Sequence, residues 1–151
     1  MEPKITQMGV GQYTYYEFIK DNTFIDYMIE PTSTTQITLA VFKSQTKGNG
    51  KRILCQTIDW IKEHLPTIVT IGVSSIPQTK YYKNRGWTKE NAQEKLDSYY
   101  RSLGFRETTV KHDFEIGIDE LKANCMASGG AKTRKSLKRR TRKIQRWPKK
   151  F

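Results

Sequence analysis

The chain has 151 residues, enough for one compact domain with its own core and too few for two. Its formal charge is +12, yet Ala131–Phe151 holds eleven of the 27 Lys and Arg and no acid, which leaves 16 cations against 15 anions in the rest. A nearly neutral body with so basic a tail predicts a polyanionic partner for the tail, while the absence of a long apolar run or a basic-then-apolar leader in MEPKITQMG excludes a membrane span and predicts a soluble, intracellular protein.

In chain order, YTYYEFI, FIDYMIE and ITLAVFK are rich in aromatic and β-branched residues and are separated by DN and PTSTT turn clusters, which predicts a meander of antiparallel strands. KRILCQTIDWIKEHL then places Leu54, Ile58, Ile61 and Leu65 on one face of an amphipathic helix that Pro66 ends. IVTIGVSS reads as a strand buried on both faces, so strand, helix and strand form a crossover unit with its two strands near each other in one sheet. Pro77–Trp87 reads as a loop insertion, although its YYKNRGW resembles the later YYRSLGF. Thr88 is a good N-cap for a helix whose face carries Ala92, Leu96, Tyr99, Tyr100 and Leu103, with Gly104 closing it. RETTVKHDFEIGIDEL predicts two short strands, or one strand and an irregular link, and the domain closes near Lys122.

The stretch QTKGNGKR, Gln45–Arg52, lies between an apolar strand and the helix. Backbone amides leading into a helix N-terminus make an anion site, and glycines at 48 and 50 remove Cβ atoms where the backbone must approach an oxygen. Neither GxxxxGK[ST] nor GxGxxG is present. The pattern Gln-x-x-Gly-x-Gly, here Gln45, Gly48 and Gly50, resembles the pyrophosphate loop of the GNAT family of N-acetyltransferases. The order of elements adds to the resemblance: strand ITLAVFK, loop, helix, strand IVTIGVSS, then a helix ending in YYRSLGF, like the family's closing Y…GF signature. It spans roughly residues 36–121.

The resemblance implies an α+β fold with a GNAT-like mixed, mostly antiparallel sheet and helices on its faces, acting with acetyl-coenzyme A on a primary amine. The amides of Gln45, Lys47, Gly48, Asn49, Gly50 and Lys51 would hold the pyrophosphate, and the main chain of Val41, Phe42 and Lys43 would pair with the pantetheine arm. Tyr100, four residues before Gly104, falls where family members often keep a tyrosine that protonates the leaving thiolate. The family's first two helices, which build much of the acceptor pocket, have no counterpart in the strand-like N-terminal forty residues. Neither central strand carries an acid, so Asp26, Glu30 and His112 are the candidate general bases by exclusion.

Cys55 and Cys125 sit in no metal-ligand spacing and read as reduced thiols, and no metal site is expected. His64 complements the helix C-terminal dipole. The domain reads as residues 1–127, with Ser128, Gly129 and Gly130 a flexible joint to a polyanion-binding tail built on Arg134, Lys135, Lys138, Arg139, Arg140, Arg142, Lys143 and Arg146. That ending resembles those of proteins from large double-stranded DNA viruses, which implies a competing role: a non-catalytic GNAT-fold component of a virion, such as a minor capsid protein, contacting capsid neighbours or nucleic acid through its tail.

Overall fold

The computed structural model describes residues 1–45 and 48–130. Strands β1 (Lys4–Met8), β2 (Tyr13–Lys20), β3 (Thr23–Ile29) and β4 (Gln36–Ser44) form an antiparallel meander. Helix α1 (Asn49–His64) crosses over to β5 (Thr70–Ser74), which lies parallel to β4. Helices α2 (Thr79–Asn84) and α3 (Lys89–Ser102) follow, then the hairpin β6 (Arg106–Glu107) and β7 (Asp113–Gly117), and α4 (Ile118–Gly130). Seven strands make one sheet in the order β1-β2-β3-β4-β5-β7-β6, so the fold is α+β with a mixed, mostly antiparallel sheet. No helix among the described residues is long and apolar enough to cross a membrane.

The alternation of the strands sends one set of side chains to a common core: Tyr16, Phe18, Ile25, Tyr27, Ile37, Leu39, Ile71, Val73, Phe114 and Ile116 occupy neighbouring register positions and are all buried. Three helices cover that face. Thr57 of α1 hydrogen-bonds to the Tyr27 hydroxyl at 2.7 Å, Tyr100 of α3 packs on Phe114, and Leu121 of α4 joins the same cluster. The expectation of helices on both faces is therefore corrected for these three: the opposite face, carrying Tyr15, Glu17, Phe24, Asp26, Met28, Thr38 and Val41, lies away from them.

Helix α4 runs antiparallel to α1. Asp119 pairs with Lys62, Lys122 with Asp59, and Cys125 is disulfide-bonded to Cys55, with a Cα separation of 5.9 Å. The reading of the cysteines as reduced thiols is overturned, because two helices that look unrelated in sequence lie side by side. The same helix corrects two further readings: Ile118–Leu121 begins α4 instead of ending a strand, and Ser128–Gly130 continue it instead of forming a joint. Strand β1 and helix α2 were not evident in the sequence. The first is an edge strand of mostly exposed residues, and the second buries no residue, so neither carries an apolar period.

Candidate functional site

The ladder between β4 and β5 has four rungs, Gln36 with Thr70 through Leu39 with Val73, and then stops. Strand β4 runs on to Ser44, while β5 ends on Ser74 opposite Asp113 of β7, and the Ser75 amide donates to the His112 carbonyl. At the point of divergence the β3–β4 register slips: Tyr27 faces Leu39 but Asp26 faces Val41, so Ala40 is the extra residue of a bulge. Beyond it Val41, Phe42 and Lys43 keep β3 on one side and, among the described residues, have no strand on the other, a backbone edge that an extended chain can complete.

Past that edge lies the glycine loop. Gly48 is the N-cap of α1 at φ +89°, a left-handed conformation that suits glycine. Among the described residues no side chain caps the helix, and no acid lies in its first turn. The Gln45 amide donates to the Asn22 carbonyl at 3.1 Å, which ties the start of the loop to the β2–β3 turn. Arg52 is held by Asp21 at 2.9 Å and by Asn49 at 3.1 Å, so part of the charge of this stretch is already matched by an acid. Gly50 plays a different role from the one the sequence suggests: a Cβ there would stand 3.2 Å from the Ser44 Cβ and 3.4 Å from the Phe42 ring, so its smallness lets α1 pack against the end of β4. Lys47, and the tail cations Arg134, Lys135, Lys138, Arg139, Arg140, Arg142, Lys143 and Arg146, lie outside the described residues.

Helix α3 brings two tyrosines to this region. Tyr99 lies against Phe42, ring centroids 6.1 Å apart, linking α3 to the free part of β4. Tyr100 packs on Phe105 and Phe114, and Phe114 is the cross-strand neighbour of Val73, on the last rung of the β4–β5 ladder. Burial, with Tyr99 adding to it, pushes the Tyr100 phenol up to about 12, so it is a protonated donor at neutral pH.

The three candidate bases separate. Glu30 is exposed just past β3, at the end of the sheet away from the loop. His112 binds Asp97 at 2.8 Å, and Gln93 donates to the other Asp97 oxygen, bordering a cleft of about 510 Å³ between α3 and the 111–112 turn, beside β7 rather than β4. Burial pushes the Asp97 carboxyl up, but hydrogen bonds from Ser75, Gln93 and His112 outweigh it and hold it below its ordinary value. Asp26 lies mid-strand on the sheet face opposite the three helices, between Glu17 and Val41 in register. Its Oδ1 is buried without a hydrogen-bond partner among the described residues, and burial, with Glu17 adding to it, pushes the carboxyl up to about 6. Alternation in FIDYMI places Asp26 on the non-core face, but only the bulge sets it beside the divergence.

Compared with known proteins, the chain matches no family model and no curated protein.

Proposed function

We propose that the chain is a GNAT-like N-acetyltransferase that transfers acetyl from acetyl-coenzyme A to a primary amine. The observation that carries the reading is the early end of the β4–β5 ladder, followed by a stretch of β4 at Val41–Lys43 that no described strand covers, leading to a helix start with glycine as its N-cap and no acid in its first turn. The fit to the cofactor is of the right kind: amides at Gly48, Asn49 and Gly50 for a pyrophosphate, the Gln45 amide being already given to the Asn22 carbonyl, and main chain at Val41–Lys43 for an amide-bearing arm. When bound, the cofactor supplies an acyl group activated as a thioester.

The chain's own residues divide the proton work. Asp26, ionised above about pH 6, takes a proton from the incoming ammonium on the bare side of the sheet. Tyr100, protonated and on the helical side, returns one to the departing sulfur. Acid and base thus lie on opposite faces of the sheet, with the divergence of β4 and β5 between them, so amine and cofactor approach from different sides. From ammonium to amide the nitrogen gives up two protons: Asp26 takes the first and releases it to solvent, and as the nitrogen–carbon bond forms and the carbon–sulfur bond breaks, the second balances the one that Tyr100 gives to the sulfur.

A second reading has its own support in the bare sheet face, where no described helix builds an acceptor wall. A virion component, such as a minor capsid protein of a large DNA virus, would use that face and the tail to hold capsid neighbours or nucleic acid. Titration calorimetry of the full chain with acetyl-coenzyme A separates the two. Saturable one-to-one binding supports the transferase; no heat at millimolar ligand removes it and leaves the structural role.

A further inference from the structure

We infer that the bare face of the sheet is a docking site for the chain's own basic tail, Ala131–Phe151, with a lysine ammonium of the tail set against Asp26. A docked tail covers the carboxylate that the acetyl-transfer reading gives to the incoming amine, so tail and amine compete for Asp26 and the test below is run without cofactor or amine.

Buried polar atoms are almost always hydrogen-bonded, and Asp26 Oδ1 has no partner among the described residues. The nearest acid makes the need sharper. Glu17 lies directly across the β2–β3 ladder from Asp26, and like charges in that relation repel unless a cation joins them. Among the described residues neither takes part in an ion pair, although Lys4 stands opposite Glu17 on β1 and Lys43 opposite Phe24 on β4. The surroundings suit an amphipathic segment: Phe24, Met28 and Val41 share the face, and Ile19 on it is 73% exposed. The tail offers the matching chemistry, eleven cations without an acid, with Leu137, Ile144 and Trp147 among them.

Topology brings the two together. Because α4 runs back along α1, pairing 119 with 62, 122 with 59 and 125 with 55, it delivers Gly130 near the start of α1, at the end of the sheet where β4 finishes. From there to the far face the chain must pass the helix layer and the sheet, on the order of 20 Å at about 10 Å per layer. An extended chain covers roughly 3.3 Å per residue, so Lys132 falls short, Lys135 reaches only with its side chain outstretched, and Lys138 and Lys143 reach with slack.

The test is zero-length coupling of the full chain with a water-soluble carbodiimide, without cofactor, read by peptide mass spectrometry. The expected product is an intrachain amide between Asp26 or Glu17 and Lys138 or Lys143, lost in the Glu17→Gln, Asp26→Asn double variant and independent of protein concentration. Links from the tail only to other acids, links that grow with protein concentration, or no tail link would overturn the proposal. In the second measurement, Lys138→Gln with Lys143→Gln in a nitrogen-15 labelled chain should shift the amides of Phe24, Asp26 and Val41. Unmoved amides on that face would overturn it as well.

Discussion

Asp26 lies directly opposite Glu17 in the β2–β3 ladder, two carboxylates in register on a face that no helix of the core layer covers. A raised carboxyl means that the folded state holds the proton more tightly than the unfolded chain, so its contribution favours folding at low pH and is lost as pH rises from about 4 to about 6. At pH 7 the ionised group opposes folding. Where no tail cation offsets that charge, as in a Lys138→Gln, Lys143→Gln background, Asp26→Asn should therefore raise the melting temperature at pH 7 by roughly 2–5 °C, a figure that allows for screening by solvent. The gain should shrink through pH 6 and vanish near pH 4, and a gain independent of pH would rule out titration of Asp26 as its source.

The bond between Cys55 and Cys125 closes 70 residues of chain, from the first half of α1 to the last helix. Cross-linking so long a loop restricts the unfolded chain, and bonds of this kind stabilise by about 2–4 kcal/mol. Cys55→Ser, Cys125→Ser or added reductant should each lower the urea midpoint by a similar amount. The double variant should be insensitive to reductant. Equal midpoints with and without reductant in the parent would show that the two thiols are not bonded.

Much of this arrangement was legible because the strong elements carry strong periods. Leu54, Ile58 and Ile61 fix α1, the alternation of Tyr16 and Phe18 with Glu17 and Ile19 fixes β2, and the Thr88 hydroxyl does accept from the Asn91 amide at 3.1 Å. The crossover from β4 to β5 followed from element order. What escaped depends on tertiary neighbours. Nothing in ITLAVFK marks Ala40 as an extra residue, nothing local joins Cys55 to Cys125, and Gly50 looked like ligand backbone until Phe42 and Ser44 appeared against it. Asp26 stood among three acid–base candidates that only the register separates.

Gly48 offers a test of the anion site that leaves Gly50 and its packing alone. A Cβ at Gly48 meets no atom within 4 Å, so the obstacle to substitution is its positive φ, which Asn and Asp tolerate better than other residues. Gly48→Asn and Gly48→Asp make nearly the same backbone demand and differ by one charge. The asparagine variant should bind acetyl-coenzyme A within about threefold of the parent. The aspartate variant should bind at least tenfold more weakly, since its carboxylate occupies the helix start and opposes the phosphates. Equal calorimetric affinities for the two would show that no phosphate contacts this turn.

Tyr100 joins packing to chemistry, and its two roles can be separated. The ring is 6% exposed and lies among Tyr99, Phe105 and Phe114, so Tyr100→Phe keeps those contacts and should move the melting temperature by no more than about 2 °C. If the phenol protonates the leaving sulfur, the same change removes the donor, and kcat should fall by a factor of about 10²–10³ with binding of acetyl-coenzyme A unchanged. Substrates whose leaving thiol is more acidic need less help, so a thioester of an aromatic thiol should recover most of the lost rate. A uniform loss across leaving groups would place Tyr100 in the core alone and move the search for the acid to Tyr99, which faces Phe42 on the free edge of β4.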